Sequence, residues 1–402
     1  MTKTKLLWTA CFVLLLAASA VASLTERPVN WKGLPEPFAT PSVRNSPRVI
    51  DRPEGAQLQV PAGFQVEEYM SGGFERPRFM MHGPNQEILL TDSGSRQDRN
   101  GVVYVIKDKT KKAIIEGLDR PYGMEYHDGW LYVAEATSVK RYRYDAAAMS
   151  VSGEGQEIVP LHDYGDGHWT RSLLFSRDHS KLFVSVGSRS NVDHGEPPTR
   201  AALNRFNPDG TGHEIYASGM RNTIGLRLRP GTDEVWAAVQ ERDALGDDLV
   251  SDYVVNVEQG AFYGWPYAYT GPHPDPRRTE DVAPEMVKKT HYPTVLLGAH
   301  VAVLDILFYT GNQFPEQYQG GMFVALHGSW NRSHRHGYNI SFVPFKDDKA
   351  AGGPQPFLTG WMLDPLNTDV WGRPVGLLQL PDGSLLVTDD GGQKIWRISY
   401  QG

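Results

Sequence analysis

Short apolar stretches alternate with polar turns along most of the chain, and this pattern predicts strands rather than long helices. Six stretches are rich in β-branched and aromatic residues and are bounded by turn formers: 88–91, 131–134, 182–186, 235–239, 322–326 and 385–388. A repeated unit of roughly 40 to 60 residues that is built from short strands is typical of a β-propeller. The pattern therefore predicts an all-β fold, a six-bladed β-propeller.

The two ends of the repeat region predict how the ring of blades closes. The alternating run 58–70 lacks further strands of its own blade, and 383–400 forms the last blade at the other terminus. Pairing of these N- and C-terminal strands would close the ring and remove an exposed sheet edge. We therefore expect a propeller at 57–402 after a proline-rich arm at 24–56. A second proline-rich segment, 262–298, predicts a long inter-blade loop over one end of the central channel.

A basic residue precedes the apolar stretch in each of the six units: Arg76, Arg120, Arg171, Arg221, His300 and Arg373. If these residues hold one position in each blade, they form a ring around the channel. Like charges in a partly desolvated channel require acidic partners or an anionic ligand, and guanidinium groups suit carboxylates. The alternative for any one of them is a structural arginine that bonds carbonyl groups between blades.

The first residues have the layout of a cleaved secretory signal at 1–23. Lys3 and Lys5 precede an apolar run that ends in small residues, and an uncleaved membrane anchor is the alternative. The predicted location is therefore periplasmic or secreted, without stable membrane insertion. The one cysteine, Cys11, lies in this segment, so the mature chain would have neither a disulfide nor an attached c-type haem. Cleavage takes the formal charge from −7 to −9, which argues against a nucleic-acid partner.

An acidic loop at 240–253 follows the strand of the fourth unit. It contains Glu241, Asp243, Asp247, Asp248 and Asp252, and oxygen-rich loops of this kind suit Ca²⁺. The spacing does not match an EF-hand, and the alternative is a solvated acidic turn.

His168 is the histidine that the repeat itself carries to the channel, because it stands just before Arg171. It is a candidate catalytic base, and a satisfied structural histidine is the alternative. His327, His334 and His336 could indicate a zinc site, but no acid lies near them in the sequence, so we interpret their segment as a turn between strands.

Four segments resemble a known family: 167–191, 219–253, 327–338 and 372–400. They are similar to the L-sorbosone dehydrogenase type of soluble quinoprotein sugar dehydrogenases, a group related to soluble glucose dehydrogenase and fungal pyranose dehydrogenases. The resemblance covers about 57–400, and GMRNTIGLRLRPGTDEVWAAVQERDALGDDLVSDY is its most specific part. It implies a six-bladed propeller that binds pyrroloquinoline quinone (PQQ), a flat tricarboxylate, together with Ca²⁺.

The resemblance also implies roles for individual residues. His168 would be the catalytic base. The implied cofactor-binding residues are Arg171, Arg221, Asn222, Trp330, Arg332 and Arg373, and the implied metal site comprises Arg242, Asp243, Asp247 and Asp248. Substrate contacts are expected from Trp265 and Tyr267, with ordinary hydrophobic packing as the alternative. Glucose enzymes have an acid in a Gly-Asp-Gln-Gly turn where this chain has Gly187-Ser188, so support for the histidine must come from elsewhere and glucose is a doubtful substrate.

These residues predict a dehydrogenase that oxidises a sugar, a sugar-derived aldehyde or a polyol by hydride transfer to PQQ. His168 would take the hydroxyl proton, and neighbouring cations would keep it neutral. An external acceptor, a cytochrome or a quinone, would receive the electrons. The alternatives are a calcium-dependent propeller lactonase and a propeller that binds a ligand without catalysis.

Overall fold

The computed structural model describes residues 26–95, 97–279 and 283–402. The predicted signal segment lies outside these residues. In the described residues, no helix is long and apolar enough to cross a bilayer.

The described residues form thirty strands, numbered here in chain order. Two strands precede the first blade: β1 (Arg48–Val49) and β2 (Phe64–Ser71). Blade 1 contains β3 (Pro77–His82), β4 (Ile88–Asp92), β5 (Gly101–Lys107) and β6 (Thr110–Leu118). Blade 2 contains β7 (Met124–His127), β8 (Trp130–Glu135), β9 (Ser138–Asp145) and β10 (Ser150–Pro160). Blade 3 follows a 3-10 helix (His162–Tyr164) and contains β11 (Leu173–Phe175), β12 (Leu182–Val186), β13 (Ala202–Phe206) and β14 (Glu214–Ser218).

Blade 4 begins with β15 (Asn222–Leu228), β16 (Val235–Gln240) and β17 (Ser251–Asn256). The hairpin β18 (Ala268–Tyr269) and β19 (His273–Pro274) and the helix α1 (Pro284–Lys288) come next, before its outer strand β20 (Val295–Ala299). Blade 5 contains β21 (Val303–Phe308), a 3-10 helix (Glu316–Tyr318), β22 (Met322–Leu326), β23 (Asn339–Val343), the hairpin β24 (Phe345–Lys346) and β25 (Lys349–Ala350), and β26 (Gln355–Leu358). Strand β27 (Asp369–Val370) pairs with β1, and blade 6 contains β28 (Pro374–Gln379), β29 (Leu385–Asp389) and β30 (Lys394–Tyr400).

Six four-stranded antiparallel sheets in these residues form the blades of a propeller, which confirms the predicted fold class. The N-terminal strand β2 pairs with β30 in register Phe64↔Tyr400 and completes blade 6. The predicted closure by the two ends of the chain is therefore also present. The predicted loop 262–298 differs from expectation, because it interrupts blade 4 between its third and fourth strands and its last residues belong to β20.

The apolar core consists of layers between neighbouring sheets. One cluster of buried side chains joins each pair of adjacent blades, for example Phe79 and Leu131 between blades 1 and 2. Both faces of each inner sheet are thus covered, which explains why the strands read as nearly continuous apolar runs. The inner strands of the six blades pack side by side around the axis. Since they run in the same direction, the residues that precede them meet at one end of the channel.

Candidate functional site

The channel end where the inner strands begin contains a cavity of about 200 Å³. Its walls come from blades 3, 4 and 5. The residues that line it are His168, Arg221, Gln240, Glu241, Asp243, Asp252, His300, Ala302, Trp330 and Asn331. Seven of these were singled out from the sequence as candidate ligands, bases or ring members: His168, Arg221, Glu241, Asp243, Asp252, His300 and Trp330.

The imidazole of His168 is held by Ser188. Its Nδ1 lies 2.7 Å from the carbonyl oxygen of Ser188 and 3.1 Å from the Ser188 hydroxyl oxygen. A carbonyl only accepts, so Nδ1 carries the proton and donates it, which leaves Nε2 as the acceptor. Ser188 therefore supports His168 in this chain, and it lies in the segment where the glucose enzymes have an acid instead.

Burial, with a smaller contribution from the Arg221 guanidinium, lowers the pKa of His168 to about 3. The imidazole is therefore neutral at pH 7 and can accept a proton. The sequence predicted the direction of this shift but attributed it to cations alone, whereas desolvation is the larger cause.

Arg221 is fixed by an acid and an amide. One guanidinium nitrogen donates to Asp243 at 2.9 Å and to the side-chain oxygen of Asn191 at 3.0 Å, and another donates to the carbonyl of Glu241 at 2.6 Å. Burial would raise the pKa of Asp243, but Arg221 and His300 lower it to about 2. The pair therefore stays ionised, and Asn191, which pattern reading missed, also accepts the backbone N–H of Asp243 at 2.9 Å.

His300 holds the basic position of the fifth unit and lies on the floor of the cavity. Its Nε2 lies 2.9 Å from the carbonyl of Gly246, and its Nδ1 lies 3.2 Å from the Asn331 amide. Asp252 is next to it, fully desolvated, and burial raises its pKa to about 7.

Two arginines do not join the predicted ring. Arg171 is completely buried, and its guanidinium donates to the carbonyls of His168, Thr170 and Tyr164. Three carbonyls bind the terminal guanidinium nitrogens of Arg171, and Arg171 does not line the cavity, which favours the structural alternative; its role as a cofactor ligand stays a prediction. Arg76 is exposed.

Arg332 lies outside the cavity as well. It donates to the carbonyl of Asp247 at 2.7 Å and to the carboxylate of Asp248 at 2.7 Å, and its contact with a cofactor stays a prediction. Asp247 in turn accepts the backbone N–H of Ser333 at 2.9 Å. These bonds clasp the loop 242–248 to the loop 329–335.

The predicted metal loop therefore does not present its acids to one point. Arg242 is completely buried and pairs with Glu241 at 3.0 Å and Asp275 at 3.2 Å, while Asp247 and Asp248 hold the neighbouring loop. No group of three or more His, Cys, Asp or Glu side chains that could hold a metal occurs in the described ranges. The side chains of Arg242, Asp247 and Asp248 thus have other partners, and their assignment to a calcium site, by way of main-chain carbonyls, stays a prediction. Asp243 reaches the cavity, but its oxygens face Arg221 and Asn331.

The predicted substrate aromatics have other contacts. Trp265 is buried and donates to the carbonyl of Asn191 at 2.8 Å, so it supports Arg221 from behind rather than facing a substrate. The ring of Tyr267 lies against Arg278, whose guanidinium carbon is 5.6 Å from the ring centroid, and Tyr267 does not line the cavity. The packing alternative is correct for Trp265. Trp330 lines the cavity and is 42% exposed.

Asn222 also lies behind the cavity wall. Its side-chain nitrogen donates to Gln240 at 3.0 Å, and its buried oxygen has no hydrogen-bond partner among the described residues. A Cβ on Gly187 would lie 2.5 Å from that oxygen and 2.6 Å from the Cβ of His168. Glycine at 187 is therefore required for Asn222 and His168 to approach each other.

A second group on the blade 1 and blade 6 side was missed. Arg78 pairs with Asp390, which also lies 2.8 Å from Nε2 of His327. Burial would raise the pKa of Asp390, but His327 and Arg78 hold it well below its usual range. Arg373 donates to the carbonyls of His327 and Gly328. The absence of an acid near His327 in the sequence was misleading, because blade 6 supplies one.

Trp169 connects this group to the histidine. The guanidinium carbons of Arg78 and Arg120 each lie 5.4 Å from its ring centroid. Arg78, from blade 1, therefore reaches partners from blades 3 and 6 across the channel end. The sequence signal was present, since Arg78 follows the predicted Arg76 by two residues in the same Arg-Pro-Arg run.

Comparison with known proteins places the chain in a family. Residues 58–401 match the TrAA12-like family. The chain belongs to the TrAA12-like family. Its resemblance to the soluble PQQ-dependent sugar dehydrogenases is thereby confirmed at the level of the family, whereas the sorbosone type stays a prediction.

Individual relatives of this TrAA12-like chain differ in how much of them it covers. An uncharacterized protein of Borreliella burgdorferi is 30% identical over 357 residues, which are 86% of this chain and 91% of the relative. The pyrroloquinoline quinone-dependent pyranose dehydrogenase of Coprinopsis cinerea is 25% identical over 340 residues. These cover 72% of this chain but 45% of the pyranose dehydrogenase, so the chain spans about half of that protein. The Trichoderma reesei AA12 structure superposes with a TM-score of 0.72 at 20% identity, over 89% of this chain and 100% of that one. It has the same fold.

Proposed function

We propose that this TrAA12-like protein is a quinoprotein dehydrogenase that oxidises a sugar, a sugar-derived aldehyde or a polyol at the channel end. It would bind PQQ there and act in the periplasm or outside the cell, as the N-terminal residues predict. The observation that carries the proposal is His168, a neutral histidine with a fixed Nδ1 proton that faces a cavity beside a buried arginine. Neutral acceptors of this kind serve as general bases.

The donor groups around the channel fit a flat polyanion. Arg78 forms an ion pair with Asp390, whereas the Arg373 guanidinium donates to the carbonyls of His327 and Gly328 and has no ion-pair partner among the described residues. Nε of Arg78 is buried and has no hydrogen-bond partner among the residues described. A carboxylate ligand would satisfy such donors, and the exposed ring of Trp330 offers a flat apolar surface to an aromatic ligand. Arg221 and Trp330, which line the cavity, are thus the residues that would hold PQQ, and Arg78 and Arg373, at the channel end outside its lining, are further candidates.

PQQ, when bound, supplies a two-electron acceptor for the hydride that leaves the substrate carbon. The protein's own part is the removal of the hydroxyl proton by Nε2 of His168 while Ser188 holds the ring. Arg221, fixed by Asp243 and Asn191, places a permanent positive charge beside this base, where developing negative charge is stabilised.

Calcium has a weaker basis in this chain. The acidic side chains predicted to bind it are engaged in ion pairs and hydrogen bonds between loops. The proposed reaction therefore contains no step that depends on Ca²⁺, and a Ca²⁺ titration tests whether carbonyl oxygens of the loop 242–248 bind it. The lactonase alternative lacks its cluster of acidic ligands within the described ranges.

Reconstitution tests the proposed function. Purified apo-protein is titrated with PQQ, with and without Ca²⁺. The reconstituted protein is then screened for dye reduction with aldoses, polyols and aldehydes as substrates. We expect a bound-quinone absorbance spectrum that an oxidisable substrate bleaches, followed by dye reduction. Binding of PQQ without reduction of any dye would favour the ligand-binding alternative, and absence of binding would refute the proposal. Lactone hydrolysis without PQQ would favour the hydrolase.

A further inference from the structure

The N-terminal arm passes over the two loops that border the cavity. Phe38 donates its backbone N–H to the carbonyl of Leu245 at 2.8 Å, and the hydroxyl of Thr40 accepts the backbone N–H of Asp247 at 2.7 Å. A few residues later, the arm reaches the loop 329–335. We call residues 38–46 the strap, since they contact both loops.

Asn45 makes the densest set of bonds in the strap. Its backbone N–H donates to the carbonyl of Trp330 at 2.7 Å, and its side-chain nitrogen lies 2.9 Å from the carbonyl of Arg332 and 3.2 Å from that of Ser333. Its side-chain oxygen accepts from Arg335 at 2.8 Å. Asn45 is half-buried and forms hydrogen bonds with four residues of one irregular loop: Trp330, Arg332, Ser333 and Arg335.

That loop carries two side chains of the cavity, Trp330 and Asn331. Trp330 is 42% exposed, so packing alone does not fix its ring. Asn331 donates to Asp243 at 2.6 Å and lies 3.2 Å from His300, which ties the loop to the acid that fixes Arg221. Any shift of the backbone at 330–333 would move both Trp330 and Asn331.

We propose that the strap is a working part of the cofactor site and that Asn45 is a positioning residue, which acts through Trp330 and Asn331. This inference rests on the proposed function, because the ligand that these residues would meet is PQQ. The strap lies before the residues that match the TrAA12-like family, which begin at 58. The role proposed for the strap therefore rests on the contacts that it makes in this chain and not on the family match.

The test compares two asparagines of the same arm. Asn45→Ala removes the donors to Arg332 and Ser333 but keeps the backbone bond to Trp330. Asn30→Ala is the matched control, because Asn30 makes a reciprocal pair with the backbone of Leu296, with bonds of 2.8 and 3.0 Å, on the outer strand β20. Asn45→Ala loses three side-chain bonds to its loop, two of them donated by Asn45, whereas Asn30→Ala loses two bonds to β20. Only Asn45 contacts a cavity loop.

Isothermal titration calorimetry with PQQ and the melting temperature of the apo-protein are measured for each variant. We expect Asn45→Ala to raise the Kd for PQQ about ten-fold, the effect of losing two net hydrogen bonds, with a melting temperature close to that of Asn30→Ala. Asn30→Ala should keep the wild-type Kd. Asn45→Asp retains the acceptor for Arg335 but not the donors, so its Kd should match that of Asn45→Ala.

Equal Kd values for wild type, Asn45→Ala and Asn30→Ala would overturn the inference and leave the proposed function intact. Equal increases in both variants would also overturn it, because the effect would then be general loosening of the arm. Failure of the wild-type protein to bind PQQ would instead refute the proposed function itself.

Discussion

The two sides of the channel end differ in how their charged side chains are paired. On the blade 3 and blade 4 side, Arg221 is matched by Asp243 and His168 is neutral, so charge is balanced before any ligand arrives. On the blade 6 and blade 1 side, Arg78 pairs with Asp390, whereas the Arg373 guanidinium donates to carbonyls and forms no ion pair within the described residues. A balanced side suits proton transfer and a cationic side suits anion binding, which are the two tasks of the proposed reaction.

The largest effect should come from the balanced side. His168→Ala removes the proposed base, and general bases typically contribute about 10²- to 10⁴-fold in rate. We expect turnover with a saturating sugar to fall by this amount while PQQ binding, followed by calorimetry, is unchanged. Wild-type turnover in this variant would exclude His168 from the mechanism.

The cationic side should respond in the opposite way. Arg78→Lys keeps the charge opposite Asp390 but loses the planar fork, so we expect the Kd for PQQ to rise roughly ten-fold while turnover at saturating PQQ changes little. Arg76→Lys is the control, because Arg76 lies two residues away and is exposed. If the two lysine variants bind PQQ equally well, the cationic side does not hold the ligand.

A smaller effect is expected at Ser188. Ser188→Ala removes the hydroxyl at 3.1 Å from Nδ1 of His168 but keeps the backbone carbonyl at 2.7 Å. We expect turnover to fall by about two- to five-fold, consistent with one weak neutral hydrogen bond. A loss as large as that of His168→Ala would show that the hydroxyl, and not the carbonyl, fixes the tautomer.

The smallest change is expected from pH. The pKa of His168 is lowered to about 3, so its imidazole stays an acceptor as pH falls from 7.5 to 5. Protonation of His168 should therefore cause no loss of kcat/KM over this range, and the ratio of wild-type to His168→Ala activity should stay constant. A ratio that falls with a midpoint near 6.5 would mean that the histidine is exposed to solvent.

The lowered pKa of His168 also makes the folding stability depend on pH. The folded pKa of His168 lies below the unfolded value near 6.5, so the unfolded chain binds more protons as pH falls. The contribution of this group is present above pH 6.5 and is lost progressively below it, towards pH 3. The melting temperature of wild type should thus fall more than that of His168→Ala over this interval.

Sequence reading was most successful where the repeat constrained it. The strand runs, the pairing of 58–70 with the last blade, and the position of His168 and Arg221 before inner strands all follow from one recurring unit. It was less informative for side chains whose partners come from other blades. Arg332 and Trp265 were candidates for cofactor and substrate contacts, yet carbonyl and carboxylate groups of neighbouring loops are their partners in the structure.

The amino-acid sequence by itself determined the number of blades, the closure of the ring and which end of the channel receives the functional residues, because alternation and turn chemistry are local properties. Only the tertiary structure decided which charges are paired and which face the cavity. Asp390 meets Arg78 across 312 residues, and Asn45 meets Arg332 across 287. Such partners are chosen by how the blades pack around the axis, and no spacing along the chain records that choice.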